Sequence, residues 1–224
     1  MNAVARKAWN WARPPTGLCD WEEPMADVYP FVARLRAKAV RKVYDLGCGM
    51  GRHTVLLARE GFDVSATDLS PEGVRKTREW LEREGLKGDI RIADMVEAPF
   101  EEGEFGAVLA VNVVYHAPRE DVARTLAEIA RVLEPGGLMF VTFQSTRSAK
   151  YGEGRRVAPN TFVPEAGGEE GIPHFFAEEP DVRDLLGGFE ILRLAHREDL
   201  DPAGVVGTNC HWIVEARTVR KGES

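Results

Sequence analysis

Cysteine is scarce in this chain, and its three cysteines, Cys19, Cys48 and Cys210, lie far apart in the sequence. An odd number of separated cysteines argues against a disulfide framework and indicates reduced thiols. No C-x-x-C or H-x-x-x-H spacing occurs in the 224 residues. We therefore expect no metal site.

Long apolar runs are also missing. The longest runs, 107–111 and 138–141, are far too short to span a bilayer, and the polar N-terminus lacks the apolar stretch of a signal peptide. We therefore expect a cytoplasmic protein that does not insert into a membrane. The net charge of −7 argues against binding DNA through its phosphates.

Glutamine occurs once, as Gln144, and arginine greatly outnumbers lysine. Depletion of thermolabile amides is typical of thermophilic proteins. A GC-rich genome produces the same bias, so the composition leaves both explanations open.

Strand-length apolar runs alternate with amphipathic stretches along most of the chain. The expected strands are 42–46, 62–67, 89–93, 105–114, 138–143, 189–194 and 210–217, and the expected helices are 25–39, 53–60, 70–84, 121–133 and 180–186. About 44 % of the residues are hydrophobic, which is enough for a sizeable core. The alternation predicts a parallel sheet with right-handed crossovers, in one α/β domain over residues 1–224.

Two segments depart from this pattern. Residues 1–24 are rich in tryptophan, and residues 145–178 contain many glycines, prolines and charged residues with little periodicity. Long irregular segments are uncommon inside a compact domain and are often functional. We expect both segments to cover a substrate site.

The most informative segment is V-Y-D-L-G-C-G-M-G-R, residues 43–52. A buried strand runs into glycines at every second position, and a helix follows. Glycine lets the backbone approach a ligand closely, and a helix N-terminus presents free N–H groups. Since ligands lie beyond the carboxyl ends of the strands in open α/β sheets, this loop is predicted to hold a cofactor.

The spacing of the glycines bears on which cofactor this is. A dinucleotide-binding fingerprint reads G-x-G-x-x-G, whereas here the third glycine, Gly51, comes one residue early and Arg52 takes its place. Asp45 precedes the loop, where a carboxylate suits a free amino group and repels a pyrophosphate. Asp68, at the end of the second strand, is placed to accept ribose hydroxyls, which fits NAD equally well.

Five ordered motifs resemble those of the class I S-adenosylmethionine-dependent methyltransferases. They are D-L-G-C-G-M-G-R (45–52), T-D-L-S-P (67–71), A-D-M (93–95), N-V-V-Y-H (112–116) and L-E-P-G-G (133–137). The segment G-I-P-H-F-F (171–176) is loosely similar to the small-molecule branch related to tellurite-resistance methyltransferases. The resemblance covers roughly residues 25–217.

The resemblance implies a Rossmann-like, doubly wound α/β sheet with strand order 3-2-1-4-5-7-6, in which strand 7 is antiparallel. It also implies S-adenosylmethionine as the cofactor. The residues expected around the cofactor are Asp45, Gly47, Cys48, Gly49, Gly51, Arg52, Asp68, Leu69, Asp94, Met95 and Asn112. Arg52 is expected either to pair with the cofactor carboxylate or to lie on the helix surface, and Cys48 to be a small buried residue.

Three residues are expected at the reacting end of the site. His116 and Tyr115 follow the fourth strand, and His174 lies in the segment 145–178. Histidine is the usual general base near neutral pH. His53 is interpreted as solvent-exposed, and His211 as a structural residue of the last strand.

Aromatic rings are the remaining candidates for contact with the cofactor or the acceptor. Trp9, Trp11 and Trp21 either contact a sulfonium or an apolar acceptor, since ring faces attract cations, or pack the N-terminal segment onto the core. Tyr115 is better placed by its motif.

The predicted function is methyl transfer from S-adenosylmethionine to a small-molecule acceptor, by a monomer or homodimer. The [Asp/Asn]-Pro-Pro-[Tyr/Phe] box of amino-methylating DNA enzymes is missing at 112–115, so no DNA acceptor is expected. The alternatives are an NAD-dependent oxidoreductase, a methyltransferase of tRNA or protein, and a binding module with a methyltransferase-like fold.

Overall fold

The computed structural model describes residues 7–11, 21–200 and 206–219. Most of the segment 1–24, including Cys19, therefore lies outside the described residues. The helices are α1 (Val28–Ala37), α2 (Arg52–Arg59), α3 (Pro71–Arg83), α4 (Arg119–Val132) and α5 (Glu179–Leu185). The strands are β1 (Lys42–Leu46), β2 (Asp63–Asp68), β3 (Asp89–Ile92), β4 (Phe105–Ala110), β5 (Leu133–Ser145), β6 (Arg155–Ala158), β7 (Thr161–Val163), β8 (His174–Ala177), β9 (Phe189–Leu200) and β10 (Val206–Thr218).

The central sheet has the order β3-β2-β1-β4-β5-β10-β9. The pairs from β3 to β5 are parallel, whereas β10 runs antiparallel to both β5 and β9. With β9 and β10 as the sixth and seventh predicted strands, this confirms the predicted order 3-2-1-4-5-7-6 with strand 7 antiparallel.

Helices cover both faces of the sheet because β1, β4 and β5 are buried on both sides. Val43 packs with Phe31 of α1 and Leu57 of α2. The next residue, Tyr44, points to the opposite face and packs with Leu126 of α4. This alternation of side chains along a strand places the core in two layers, one on each side of the sheet.

The helix start at Ser70 illustrates how the local sequence sets the boundaries. The Ser70 side chain accepts a hydrogen bond from the Gly73 N–H at 3.4 Å, and a proline occupies the first turn of α3. Such a cap satisfies an N–H that the helix itself leaves unpaired.

Two sequence predictions need correction. The fourth strand ends at Ala110 and not at Val114, because Asn112 has φ = +54°, a left-handed conformation that ends the strand. The segment 145–178 is not wholly irregular: β6 and β7 form an antiparallel hairpin, and β8 pairs in parallel with the end of β5.

Within the described ranges, no helix is long and apolar enough to cross a bilayer. The same residues contain no group of three or more histidine, cysteine, aspartate or glutamate side chains that could hold a metal ion.

Candidate active site

The loop between β1 and α2 folds back onto the end of β2. The N–H groups of Gly47 and Cys48 both donate to the carbonyl oxygen of Thr67, at 2.8 and 2.9 Å. Gly47 has φ = +74°, and a Cβ there would lie 2.3 Å from a methyl carbon of Val113. Glycine is therefore required at position 47 for two reasons, the left-handed backbone conformation and the close contact with the chain that follows strand 105–110.

Asp45 lies beneath this loop and does not line the cavity described below. Its carboxylate accepts a hydrogen bond from the Thr54 hydroxyl of α2 at 2.6 Å. Burial raises the pKa of Asp45 to about 6, against the opposing effects of the Thr54 hydroxyl and the nearby Arg52. Asp45 therefore ties the strand to the helix on either side of the loop.

Asp68 joins the loop to the end of β2. One carboxylate oxygen accepts from the Gly49 N–H at 2.8 Å, and the other accepts from the Ser70 N–H at 2.7 Å. Burial raises the pKa of Asp68, and the two backbone N–H groups oppose the increase. Since a carboxylate oxygen has more than one lone pair, Asp68 can still accept further hydrogen bonds from a ligand.

A cavity of about 420 Å³ opens at the carboxyl ends of β1, β2 and β4. Its size is in the range of ordinary small-molecule sites. The expected site residues that line it are Gly47, Cys48, Gly49, Arg52, Asp68, Leu69, Asp94, Met95, Asn112, Tyr115 and His116. Asp45, Gly51 and His174 lie behind its surface. Burial raises the pKa of the Cys48 thiol, which is consistent with a small buried residue.

Hydrogen bonds hold Asn112 and Asp94 in place. The Asn112 N–H donates to the Thr142 hydroxyl at 2.8 Å, and that hydroxyl donates back to the Asn112 side chain at 3.1 Å. The Asp94 carboxylate accepts from the Val96 N–H at 3.2 Å. These bonds fix polar side chains at the edge of the cavity.

Arg52 borders the cavity at the start of α2. Its guanidinium donates to the Glu23 carbonyl oxygen at 3.4 Å and lies 5.8 Å from the centre of the Trp21 ring. The arginine therefore contacts the N-terminal segment and borders the cavity.

The far wall of the cavity is built from rings at the ends of β4 and β10. Tyr115 contacts His116 edge to face, with 4.5 Å between ring centres. The Tyr115 hydroxyl lies 3.3 Å from Nε2 of His211, and His211 is paired in register with Gln144. His211 was interpreted as purely structural, but together with Gln144 it also lines the cavity.

His174 lies behind His116, with 4.8 Å between the ring centres. Its Nδ1 is 2.9 Å from the Ile172 carbonyl oxygen, and its Nε2 is 3.5 Å from a carboxylate oxygen of Glu169. Glu169 also pairs with Lys150 at 3.0 Å. This pair separates the main cavity from a second one of about 210 Å³, which His174 lines.

His53 is a correction to the sequence interpretation, which placed it in solvent. It is buried, lines the main cavity, and accepts a hydrogen bond from the Met25 N–H at 3.1 Å. The chain just before α1 covers the first turn of α2, and this long-range contact leaves no periodic signal near His53 in the sequence.

The described part of the N-terminal segment lies over the cavity. Trp9, Trp11 and Trp21 form a cluster with ring centres 5.4–6.3 Å apart, and all three line the cavity. A Cβ at Gly49 would lie 2.6 Å from the Trp11 ring. Lys7 donates to the Glu170 carbonyl oxygen at 2.6 Å, so this segment also contacts the segment 145–178.

Three buried histidines make stability depend on pH. Burial lowers the pKa of His53, His116 and His174 below the ordinary value of 6.5, and for His116 nearby His174, Lys150 and His211 add to the effect. As the pH falls below 6.5, the unfolded chain binds protons that the folded protein does not, so stability is lost. Asp45, with its pKa raised to about 6, and Asp68, whose pKa burial also raises, oppose this with two groups against three.

We therefore expect the melting temperature, measured by calorimetry in buffers of constant ionic strength, to fall from pH 7 to pH 5. The variant His53→Gln keeps an acceptor for the Met25 N–H and removes one of the three titrating groups, so its slope should be smaller. A melting temperature that is constant or increases over this range would contradict the pKa directions.

Comparisons with known proteins agree with this geometry. Residues 43–137 match the family model described as a methyltransferase domain. The ubiquinone biosynthesis O-methyltransferase of Xanthomonas axonopodis is 34 % identical over 145 residues, which cover 62 % of this chain and 57 % of that protein. The matches span only 34–57 % of the length of three curated relatives.

Solved structures share the fold. A SAM-dependent methyltransferase from Methanosarcina mazei has a TM-score of 0.73 at 18 % identity, over 88 % of this chain and 99 % of that one. TehB from Haemophilus influenzae, of the tellurite-resistance group, has a TM-score of 0.65 at 20 % identity, over 87 % and 62 %. The chain therefore has the fold of these methyltransferase structures, and its residues 43–137 match a methyltransferase domain.

Proposed function

We propose that this protein transfers the methyl group of S-adenosylmethionine to a small-molecule acceptor. The observation that carries the proposal is one cavity whose lining combines a glycine loop, the carboxylates of Asp68 and Asp94, and the rings of Tyr115 and His116. The glycine loop and the two carboxylates suit a ligand that combines an amino acid with a nucleoside. The rings provide a place for a second reactant beside it.

The backbone of the glycine loop supports the choice of this cofactor. A Cβ at Gly47 would occupy space already filled by Val113, so the loop lies as close to the end of β4 as the chain allows. We propose that Asp68 accepts the ribose hydroxyls, while Asp94, Met95 and Leu69 surround the adenine. Asp45 acts from beneath the loop, where its negative charge favours the amino group, and Arg52 pairs with the carboxylate.

The bound cofactor supplies an activated methyl group on a sulfonium. The chain's own part is then to align the acceptor and to exclude water, and alignment of two reactants can lower a barrier by roughly 7–11 kcal/mol at the upper end. We propose that the segments 1–24 and 145–178 exclude water, since Trp9 covers the cavity and Lys7 contacts Glu170.

His116 is the proposed general base. Burial holds the pKa of His116 well below its usual range, which keeps the ring neutral at pH 7, with a lone pair for a hydrogen bond from an acceptor hydroxyl or amine, and also makes it a weaker base than an exposed histidine. We propose that Tyr115 contacts the acceptor or the sulfonium. His174 does not line the main cavity, so we assign it a positioning role behind His116, which it contacts ring to ring.

Two alternatives are less well supported. An NAD-dependent oxidoreductase requires a third glycine where Arg52 begins α2. A tRNA or protein acceptor requires an open site, whereas Trp9 and Trp21 line and cover this cavity. We propose a single domain over residues 1–224, acting in the cytoplasm as a monomer or homodimer, with no DNA partner.

Titration calorimetry with S-adenosylhomocysteine tests the proposal. We expect one binding site per chain, with a dissociation constant of about 1 μM to 1 mM, the range of typical enzyme ligands. NADH is the matched control and should give no heat. Binding of NADH without S-adenosylhomocysteine would favour the oxidoreductase, and no heat or thermal shift with either ligand at millimolar concentration would overturn the cofactor assignment.

A further inference from the structure

Gln144 carries a buried acceptor that the described residues leave unpaired. The side chain lies at the end of β5, is 2 % exposed, and lines the main cavity. Its Oε1 atom is buried without a hydrogen-bond partner among residues 7–11, 21–200 and 206–219. Buried polar atoms of this kind are rare in folded proteins because each one loses its hydration without compensation. A ligand that donates a hydrogen bond would satisfy this oxygen.

Trp9 carries a complementary donor. Its indole ring is stacked on His116, with 5.2 Å between ring centres and 18° between the planes. The Nε1 atom is buried and, within the part of the chain that the structure describes, has no acceptor. Since Trp9 and Gln144 line the same cavity, one ligand can present an acceptor to the first and a donor to the second.

The residues between these two groups are rings. His116 contacts Trp9 on one side and Tyr115 on the other, and the Tyr115 hydroxyl reaches His211, which is the register partner of Gln144. A row of ring faces and edges favours a flat ligand, because planar rings make stacked or edge contacts at these separations.

Two of the cationic side chains that line the cavity are paired with carboxylates. Lys150 forms an ion pair with Glu169 at 3.0 Å, and Arg197 forms one with Asp27 at 2.7 Å. A charged acceptor would have to break one of these pairs or remain uncompensated in a largely buried site, which is costly. An uncharged acceptor avoids that cost.

We infer that the methyl acceptor is an uncharged, planar molecule with a hydrogen-bond donor for Gln144 and a hydrogen-bond acceptor for Trp9. The inference rests on the proposed function and gives the substrate class of the same site. The proposed cofactor cradle is formed by the glycine loop and the end of β2, whereas Gln144 belongs to β5 and Trp9 to the N-terminal segment, so we assign the two unpaired groups to the acceptor.

Three small probes test the class on the protein saturated with S-adenosylhomocysteine. Salicylamide is neutral and carries an amide group that both donates and accepts hydrogen bonds; salicylate has the same ring with a negative charge; anisole has no donor. We expect salicylamide, followed by ligand-observed NMR titration, to bind at least about fivefold more tightly than either of the others, the difference expected for one hydrogen bond.

Two variants test the residues. Trp9→Phe keeps a ring on His116 and removes the N–H, and Gln144→Met keeps the side-chain length and removes the amide. Each should weaken salicylamide binding about fivefold and leave the affinity for S-adenosylhomocysteine within about twofold. The matched control is Trp80→Phe, which removes an indole N–H that donates to Glu84 away from the cavity, and it should change neither affinity.

The outcomes separate this inference from the proposed function. Failure of the wild-type protein to bind S-adenosylhomocysteine overturns the proposed function and, with it, the basis of the inference. If S-adenosylhomocysteine binds, the inference is overturned by tighter binding of salicylate, by no binding of salicylamide at 10 mM, or by unchanged salicylamide affinity in both variants. A loss of S-adenosylhomocysteine affinity in either variant would instead assign that residue to the cofactor.

Discussion

Replacing Gly47 by alanine is expected to lower the affinity for S-adenosylhomocysteine by at least about tenfold. The new Cβ would lie 2.3 Å from a Val113 methyl carbon, where carbon atoms normally stay about 3.5–4 Å apart. The loop must therefore move away from β4 by more than 1 Å, and its N–H groups move with it. Titration calorimetry measures the loss directly, and thermal unfolding measures the accompanying destabilisation.

Gly61→Ala is the matched control for the backbone strain. Gly61 has φ = +86°, similar to the +74° of Gly47, but a Cβ there meets no atom within 4 Å. Both variants should lose the roughly 1–2 kcal/mol of a left-handed residue, and only Gly47→Ala should lose cofactor affinity. Adding Val113→Ala to Gly47→Ala removes both methyl contacts and should restore part of the affinity. Equal affinity losses at the two glycines would show that strain, and not the contact, is responsible.

The order of the sheet could be predicted because its signals are local and repeated. The strands β4 and β5 contain long apolar runs, and turn or cap residues such as Ser70 separate strands from helices. The short strands β6, β7 and β8 could not be predicted in this way. They have three or four residues each, and β8 is defined by its pairing with Gln144 and Ser145, which are about 30 residues away along the chain.

The candidate site also contains residues that could be predicted from the sequence and residues that could not. The residues expected to surround the cofactor come from short motifs at the ends of consecutive strands, and parallel strands bring those ends to one edge of the sheet. Gln144 lies at the carboxyl end of β5 and follows from the same rule, although it was missed, whereas Glu169 was missed because it lies in the segment 145–178, which has little periodicity. His53 was placed in solvent because contacts from outside its own helix, at Met25, decide its burial.

The environment of Asp68 changes what its substitution would test. From the sequence, Asp68 is a residue that accepts two ribose hydroxyls. In the structure its two oxygens also accept the N–H groups of Gly49 and Ser70, so it supports the loop as well. A loss of cofactor affinity on substitution therefore has two possible causes, direct contact with the ribose and loosening of the loop.

Asp68→Ala is expected to lower the affinity for S-adenosylhomocysteine by roughly 10- to 150-fold, which corresponds to the 1.5–3 kcal/mol of hydrogen bonds to a charged group. Titration calorimetry measures the change. The control Asp63→Ala removes an exposed carboxylate at the start of the same strand and should leave the affinity unchanged.

Adenosine and 2′,3′-dideoxyadenosine separate the two causes. If Asp68 accepts the ribose hydroxyls, the wild-type protein binds adenosine more tightly than the dideoxy compound, and Asp68→Ala removes that preference. If Asp68 acts only by supporting the loop, the variant binds both nucleosides more weakly and in the same ratio as the wild type. Ligand-observed NMR gives both ratios, and an unchanged ratio would overturn the assignment of Asp68 to the ribose while leaving its role in the loop intact.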